Sequence, residues 1–243
     1  MTFDASAPLR EALEDRRAPL WIPVTRELIA RIVRGDYPPE SAIPTEAELG
    51  DEFRVSRTVV RESVKMLLDK TLVRIERGRG TIVQPAKRWR TFDPAVLAAR
   101  LEYADREVVM RELLLLRKAI EPELAAIAAA GASDVAIARL GARVEALGAA
   151  QGDRDAYCEA DQAFHAALSE IADVSLAREI FEVMAPPIEM ARKLTIALPG
   201  ALEAAHAQHL EIFGAIRDRD PERARGAMRA HMDWNEQRLE QVL

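Results

Sequence analysis

Cysteine, histidine and aromatic side chains are all scarce in this chain, and so is a surplus of positive charge. Cys158 stands alone among 243 residues, which excludes a disulfide framework and suits a reducing cytoplasm. Aromatic residues make up 5% of the chain while alanine and leucine are plentiful, a balance that favours helix over sheet. The N-terminal "MTFDASAPLREALEDRR" has no apolar run of signal-peptide length, and no stretch reads as a membrane span. The expectation is a soluble cytoplasmic protein without a membrane partner. With 49% hydrophobic residues, it can bury one large core or two smaller ones.

The net charge of −6 argues at first against a nucleic-acid partner. Its distribution argues the other way. Residues 20–90 hold 14 Lys+Arg against 10 Asp+Glu, whereas residues 91–243 hold 17 against 26. A mildly basic first third joined to an acidic remainder suggests two domains with different partners.

Local patterns give the first third an order. "LWIPVTRELIARIVRGDYPP" spaces Ile22, Leu28, Ile29, Ile32 and Val33 as one helix face, and Gly35 with Pro38 and Pro39 ends it. "IPTEAELGDEF" places Thr45 three residues before Glu48, a capping box. After the short turn "RVS", Ser56 caps a helix over "RTVVRESVKMLLDK". "TLVRIERGRGTIVQ" alternates on both sides of "RGRG" and reads as a two-stranded hairpin. Helix, helix, tight turn, helix, hairpin is a winged helix-turn-helix. "PAKRWRTFDP" is the linker candidate, and six amphipathic segments bounded by Gly, Pro, Asp or Ser follow it. The fold class expected is mainly α: a winged helix-turn-helix over 18–84, a linker over 85–105 and a helical bundle of six or seven helices over 106–243.

In "VSRTVVRESV", Arg57 and Arg61 lie one turn apart at the start of the second helix of the motif. That helix end enters the major groove, where arginine bonds guanine O6 and N7. Ser56, Thr58 and the free N–H groups of the helix start suit phosphate oxygens. In "ERGRGT", Arg77 and Arg79 flank a glycine, so the hairpin tip can approach the DNA backbone or minor groove. The competing reading has both helix arginines as ordinary solvated residues, Arg61 paired locally with Glu62 or with the neighbours of Lys65.

The stretch "AIPTEAELGDEFRVSRTVVRESVKMLLDKTLVRIERGRGTIV" resembles the DNA-binding domain of the GntR family of bacterial transcription regulators. The resemblance spans about residues 20–84. It implies double-stranded operator DNA as partner, with Arg57, Arg61 and the wing glycine Gly78 at the DNA and Ser56, Thr58 and Thr81 on phosphates. Three positions depart from the pattern. Ala47 stands where many members carry a DNA-contacting arginine. Glu40 and Arg54 stand where glycine is usual, each costing at most about 1 kcal/mol if its turn needs a positive φ.

The chain's four histidines are His165, His206, His209 and His231. Asp161 and His165 share a helix face, and with His209 and His231 they would supply a carboxylate and three imidazoles from three helices, an inward-facing metal set. His206, one turn before His209, is an alternative ligand. Glu203 and His206 in "EAAH" also fit half of a ferritin-like di-iron motif, but the second Glu-x-x-His that such a site needs is missing.

Residues 106–240 resemble the FCD ligand-binding domain of the FadR subfamily of the same family. The match falls on "DQAFH", "HLEIFGAIRDRDPERA" and "AMRAHM". It implies a divalent metal on Asp161, His165, His209 and His231, leaves His206 outside the set, and is compatible with zinc first, nickel or manganese otherwise. It also implies a pocket arginine at Arg117, whose competing reading is a surface residue paired with Glu121. An arginine beside a metal points to a carboxylate-bearing effector. "RWRTFDPAVLAARL" and "RDAYCEAD" are similar to the sugar-acid branch, which implies a galactonate-like or gluconate-like acid. Where members often have S-G-N-P after the metal helix, this chain has "ADVS", Ala172 to Ser175. The expected protein is a homodimeric regulator, a repressor by family habit, and not an enzyme, since no nucleophile–base pair or second metal motif is present. Its rivals are a DNA-binding protein with a purely structural metal and a metal-dependent enzyme with a DNA-binding appendage.

Overall fold

The computed structural model describes residues 19–243. The stretch "MTFDASAPLREALEDRR" and residue 18, the expected start of the first domain, lie outside the described residues. The chain divides into two units, the first ending at Arg106 and the second running Glu107–Leu243.

The first unit contains α1 (Trp21–Arg34), α2 (Glu46–Phe53), α3 (Arg57–Asp69), β1 (Val73–Glu76), β2 (Gly80–Val83) and α4 (Pro94–Tyr103). The helix starts are set by the expected caps. Thr45 and Glu48 close the capping box of α2, and Ser56 Oγ accepts from the Val59 amide at α3. Gly35 ends α1 in the left-handed region (φ 87°) and donates its N–H to the last turn. The α2–α3 turn is tight because Gly50 lacks a side chain: a Cβ there would lie 3.2 Å from the Val55 carbonyl oxygen. Leu28, Ile32, Leu49, Val60, Leu67 and Val83 meet in one apolar core.

β1 and β2 pair antiparallel with Val73 opposite Val83 and Glu76 opposite Gly80. Ala42 bridges to Ile82, which ties the start of the motif to the wing. Both departures from the usual glycines do need a positive φ: Glu40 sits at 68° and Arg54 at 55°. Residues 85–105, expected as linker, carry a helix of their own. Asp93 caps α4 and Pro94 opens it, while Val96 and Ala99 join the core of the first unit.

The second unit has six helices among the described residues: α5 (Arg106–Gly131), α6 (Asp134–Ala149), α7 (Arg154–Ala172), α8 (Ser175–Thr195), α9 (Ala201–Arg217) and α10 (Pro221–Val242). Leu140, Leu147, Tyr157, Phe164, Ile212 and Met228 form the centre of its core, with Ala125, Ala128 and Ala129 letting α5 approach closely. Cross-helix ion pairs fasten the rim: Arg225 to Glu123 at 2.8 Å and Lys118 to Asp233 at 2.8 Å. Pro122 lies inside α5, and Pro186 with Pro187 inside α8. Each lacks an N–H, so a carbonyl one turn earlier has no helical donor. No helix of the described residues is long and apolar enough to cross a membrane.

Candidate metal centre and DNA-reading surface

The N-terminal end of α3 is open. Ser56, Arg57, Thr58 and Arg61 are exposed, while Val60, Val64 and Leu67 on the other face are buried. Arg57 and Arg61 have no ion-pair or hydrogen-bond partner among the described residues, and Glu62 pairs with Lys65 (2.8 Å) instead of Arg61. Two guanidiniums therefore stand unengaged, one turn apart, beside free helix-start amides. On the wing, Gly78 (φ 80°) turns the hairpin with open space where a Cβ would lie. Arg77 is exposed and unpaired among the described residues. Arg79 differs from it: its Nη1 bonds Glu76 at 2.9 Å and its Nη2 bonds the Glu40 carbonyl at 3.3 Å. Thr81 is half-buried, and its carbonyl accepts from Ile43.

In the second unit, α7, α9 and α10 bring Asp161, His165, His209 and His231 together, with one potential ligand atom from each lying within 4.8 Å of the others. Two of the imidazoles have a hydrogen-bond acceptor at Nδ1, and the third has a carboxylate beside it without hydrogen-bond geometry. His209 Nδ1 donates to the Ala205 carbonyl at 2.7 Å and His231 Nδ1 to Gln208 Oε1 at 2.7 Å. His165 Nδ1 lies 2.6 Å from Glu121 Oε2. The partners of His209 and His231 place the proton on Nδ1 of those two rings, which leaves the His209 Nε2 lone pair for a metal, while that of His231 meets Asn235 Nδ2 at 3.1 Å. His209 Nε2 is 3.1 Å from Asp161 Oδ1 and 3.4 Å from His165 Nε2, and His165 Nε2 is 3.7 Å from Asp161 Oδ2. Ligands about 2.0–2.1 Å from a tetrahedral zinc are about 3.3 Å apart, so these spacings fit one ion. The two Nε2 atoms lie close to one another with an Asp161 oxygen beside each, an arrangement that suits a shared cation. The residues present fit a divalent metal.

The charge state suits the same role. Burial pushes the His165 imidazole down against the pull of Glu121 and Asp161. Burial, with His209 and His165 beside it, holds His231 well below its ordinary value. Burial alone would raise the Asp161 carboxyl, but Arg192 and then the histidines hold it well below the usual range. Glu121 is likewise lowered: burial opposes ionisation, and Arg117 and His165 outweigh it. Neutral imidazoles and ionised carboxylates are the ligand forms. Cys158 is no competitor, since burial pushes its thiol up to about 11.

Arg117 is buried, not a surface residue, yet its pairing with Glu121 is real: Nε lies 2.5 Å from Oε1. Three contributors were missed in the sequence. Arg192 on α8 pairs with Asp161. Gln208 and Asn235 flank His231, Asn235 Nδ2 at 3.1 Å from its Nε2. Glu121 was seen only as a partner for Arg117, through their spacing of one helical turn. His206 lies outside the cluster, packed near Gly148. Two cavities adjoin the cluster, one of about 40 Å³ reaching Asp161, His231 and Asn235, the other of about 210 Å³ reaching Glu121, His165 and Ser169. Arg117, Ile188 and Arg192 belong to the walls of both.

A winged helix-turn-helix followed by a helical domain with an enclosed polar centre is the build of a DNA-binding regulator. The family model for bacterial regulatory proteins, gntR family, matches residues 23–83, and the FCD domain model matches residues 112–233. The galactonate operon transcriptional repressor of Escherichia coli (strain K12) is 30% identical over 225 residues, covering 87% of this chain and 93% of that protein. The HTH-type transcriptional repressor NanR of Klebsiella aerogenes is 31% identical over 218 residues, covering 86% and 81%. A solved GntR structure from Streptococcus agalactiae shares the fold at a TM-score of 0.51 and 22% identity, covering 90% of this chain and all of that one. The chain belongs to the GntR family and carries an FCD domain. It is a transcription regulator and not an enzyme.

Proposed function

We propose that this protein is a homodimeric cytoplasmic repressor of a carbohydrate-acid catabolic operon. In this reading Arg57 and Arg61 read guanines, while Ser56, Thr58 and Thr81 hold phosphates. Gly78 lets the wing approach, with Arg77 and Arg79 beside the backbone. Asp161, His165, His209 and His231 hold a divalent metal, zinc first, and Arg117 faces a small carboxylate effector of the galactonate or gluconate kind. The observation that carries the reading is the convergence of Asp161, His165, His209 and His231, with a ligand atom from each within 4.8 Å of the others, and with His209 and His231 fixed from behind by acceptors at Nδ1.

A metal bound there supplies a positive centre for a carboxylate oxygen. Glu121, Ala205 and Gln208 orient the imidazoles. The apolar wall of Met110, Leu113, Ile188 and Ile196 keeps water from screening the charges. An effector that favours one arrangement of the dimer shifts operator affinity by its differential binding. Support for the effector class comes from the buried arginines and from the galactonate repressor among the relatives. The test is fluorescence anisotropy of the protein on DNA from upstream of its own coding region, titrated with galactonate, gluconate and related acids. Tight, salt-sensitive binding reversed by one acid is expected. Binding that none of them moves would refute the sugar-acid effector.

A further inference from the structure

Four charged side chains other than histidine are buried among the described residues, and all four lie at this centre: Arg117 (8% exposed), Glu121 (2%), Asp161 (5%) and Arg192 (8%). They are already matched one to one, Arg117 with Glu121 and Arg192 with Asp161. Two guanidiniums and two carboxylates sum to zero. Coordinating imidazoles are neutral, so a divalent ion adds two positive charges that no buried side chain answers. The other charged residues around the larger cavity, Glu170, Arg178 and Glu182, are exposed and screened by solvent. Burying an uncompensated charge is costly. The loaded centre therefore demands an anion.

Arg192 is placed to hold it. Its Nε engages Asp161, while its Nη1 is buried with no hydrogen-bond partner. Arg117, Ile188 and Arg192 are the residues common to both cavity walls. An unpartnered buried guanidinium N–H is expensive unless something accepts from it. We propose that Arg192 is a second anchor of the carboxylate effector, and that metal and effector load as a coupled pair because the surrounding side chains are neutral without them. This rests on the metal and carboxylate assigned above. Coupling is reciprocal: the factor by which the acid tightens the metal equals the factor by which the metal tightens the acid.

The pairing gives opposite signs for one substitution. Arg192→Gln removes a positive charge beside the ion and frees the second Asp161 oxygen, so metal binding strengthens while acid binding weakens. An arginine that only oriented Asp161 would give weaker metal binding instead. The experiment is calorimetric titration of the full chain with zinc, and of the zinc-loaded chain with D-galactonate, for wild type, Arg192→Gln and Arg192→Lys, with circular dichroism confirming the fold. For Arg192→Gln, zinc affinity without acid is expected to rise by about tenfold and galactonate affinity to fall by about tenfold or more. Arg192→Lys keeps the charge but loses the fork, so zinc should match wild type while galactonate weakens. A folded Arg192→Gln chain with unchanged or weaker zinc binding overturns the proposal, as does unchanged galactonate affinity. A wild-type chain that takes up no zinc refutes the metal centre and this inference together. One that binds zinc but no galactonate refutes the sugar acid alone, and a rise in zinc affinity for Arg192→Gln would still support the charge imbalance.

Discussion

Replacing Glu121 with glutamine exchanges one carboxylate oxygen for an NH2 group and removes a buried negative charge. Glu121 Oε1 receives Arg117 Nε at 2.5 Å, and Oε2 lies 2.6 Å from His165 Nδ1. Oε1 accepts from Arg117, and Oε2 faces the imidazole nitrogen at ion-pair distance. A glutamine has one oxygen and one NH2 group, so whichever way it turns, an N–H meets another N–H. If the NH2 faces His165, the ring loses the acceptor that fixes its tautomer, and loss of such an outer partner costs about 10- to 100-fold in metal affinity. If it faces Arg117, a buried guanidinium loses its carboxylate, with a penalty of about 1–3 kcal/mol for the unmet group. Either way the negative charge that balances Arg117 disappears. The expected result for Glu121→Gln is zinc affinity lower by about tenfold or more and a lower urea midpoint for the metal-free chain. Competition against a chromophoric chelator reads the first and a denaturation curve at fixed slope reads the second. Zinc affinity within a factor of about two of wild type would show that neither the charge nor the acceptor of Glu121 supports the candidate centre and would remove it from that centre.

Other outcomes follow from the same geometry. Arg57→Ala and Arg61→Ala should each weaken specific operator binding about tenfold or more without moving the thermal midpoint, since neither side chain has a partner among the described residues; anisotropy and a melting curve check both. Arg54→Gly should stabilise the first unit by about 0.5–1 kcal/mol by relieving a left-handed residue at the end of α2; an unchanged urea midpoint would contradict the strain. Chelation should lower the melting temperature of wild type far more than that of His209→Ala, because the variant has already lost a ligand; equal shifts would place the metal elsewhere.

Much of the first unit was legible because its signals are local. Thr45 and Glu48 are three residues apart, Ser56 directly precedes its helix, and the wing turn is written in "RGRG"; each feature forms within one turn of chain. The helix over Pro94–Tyr103 was hidden by a proline at each edge of "PAKRWRTFDP", yet Pro94 is the first residue of the helix that Asp93 caps. In the second unit, Asp161 and His165 could be paired by helical spacing, and His209 and His231 through the family pattern. Arg192 could not be. On the sequence it is one basic residue in "EMARKL", beside Lys193, which remains exposed. What separates the two is only which way α8 faces, and that depends on how its apolar stripe packs beyond Pro186 and Pro187. Glu121 misled for a related reason. Its spacing to Arg117 is what an exposed helix pair would show, and nothing local says that the face carrying both is turned inward. The second oxygen of that carboxylate then serves a histidine on another helix. Side chains with one partner on their own helix and another across the bundle can be read for the first partner and not the second. At this candidate centre the second partner is the one that matters: Glu121 reaches His165, across from its own helix.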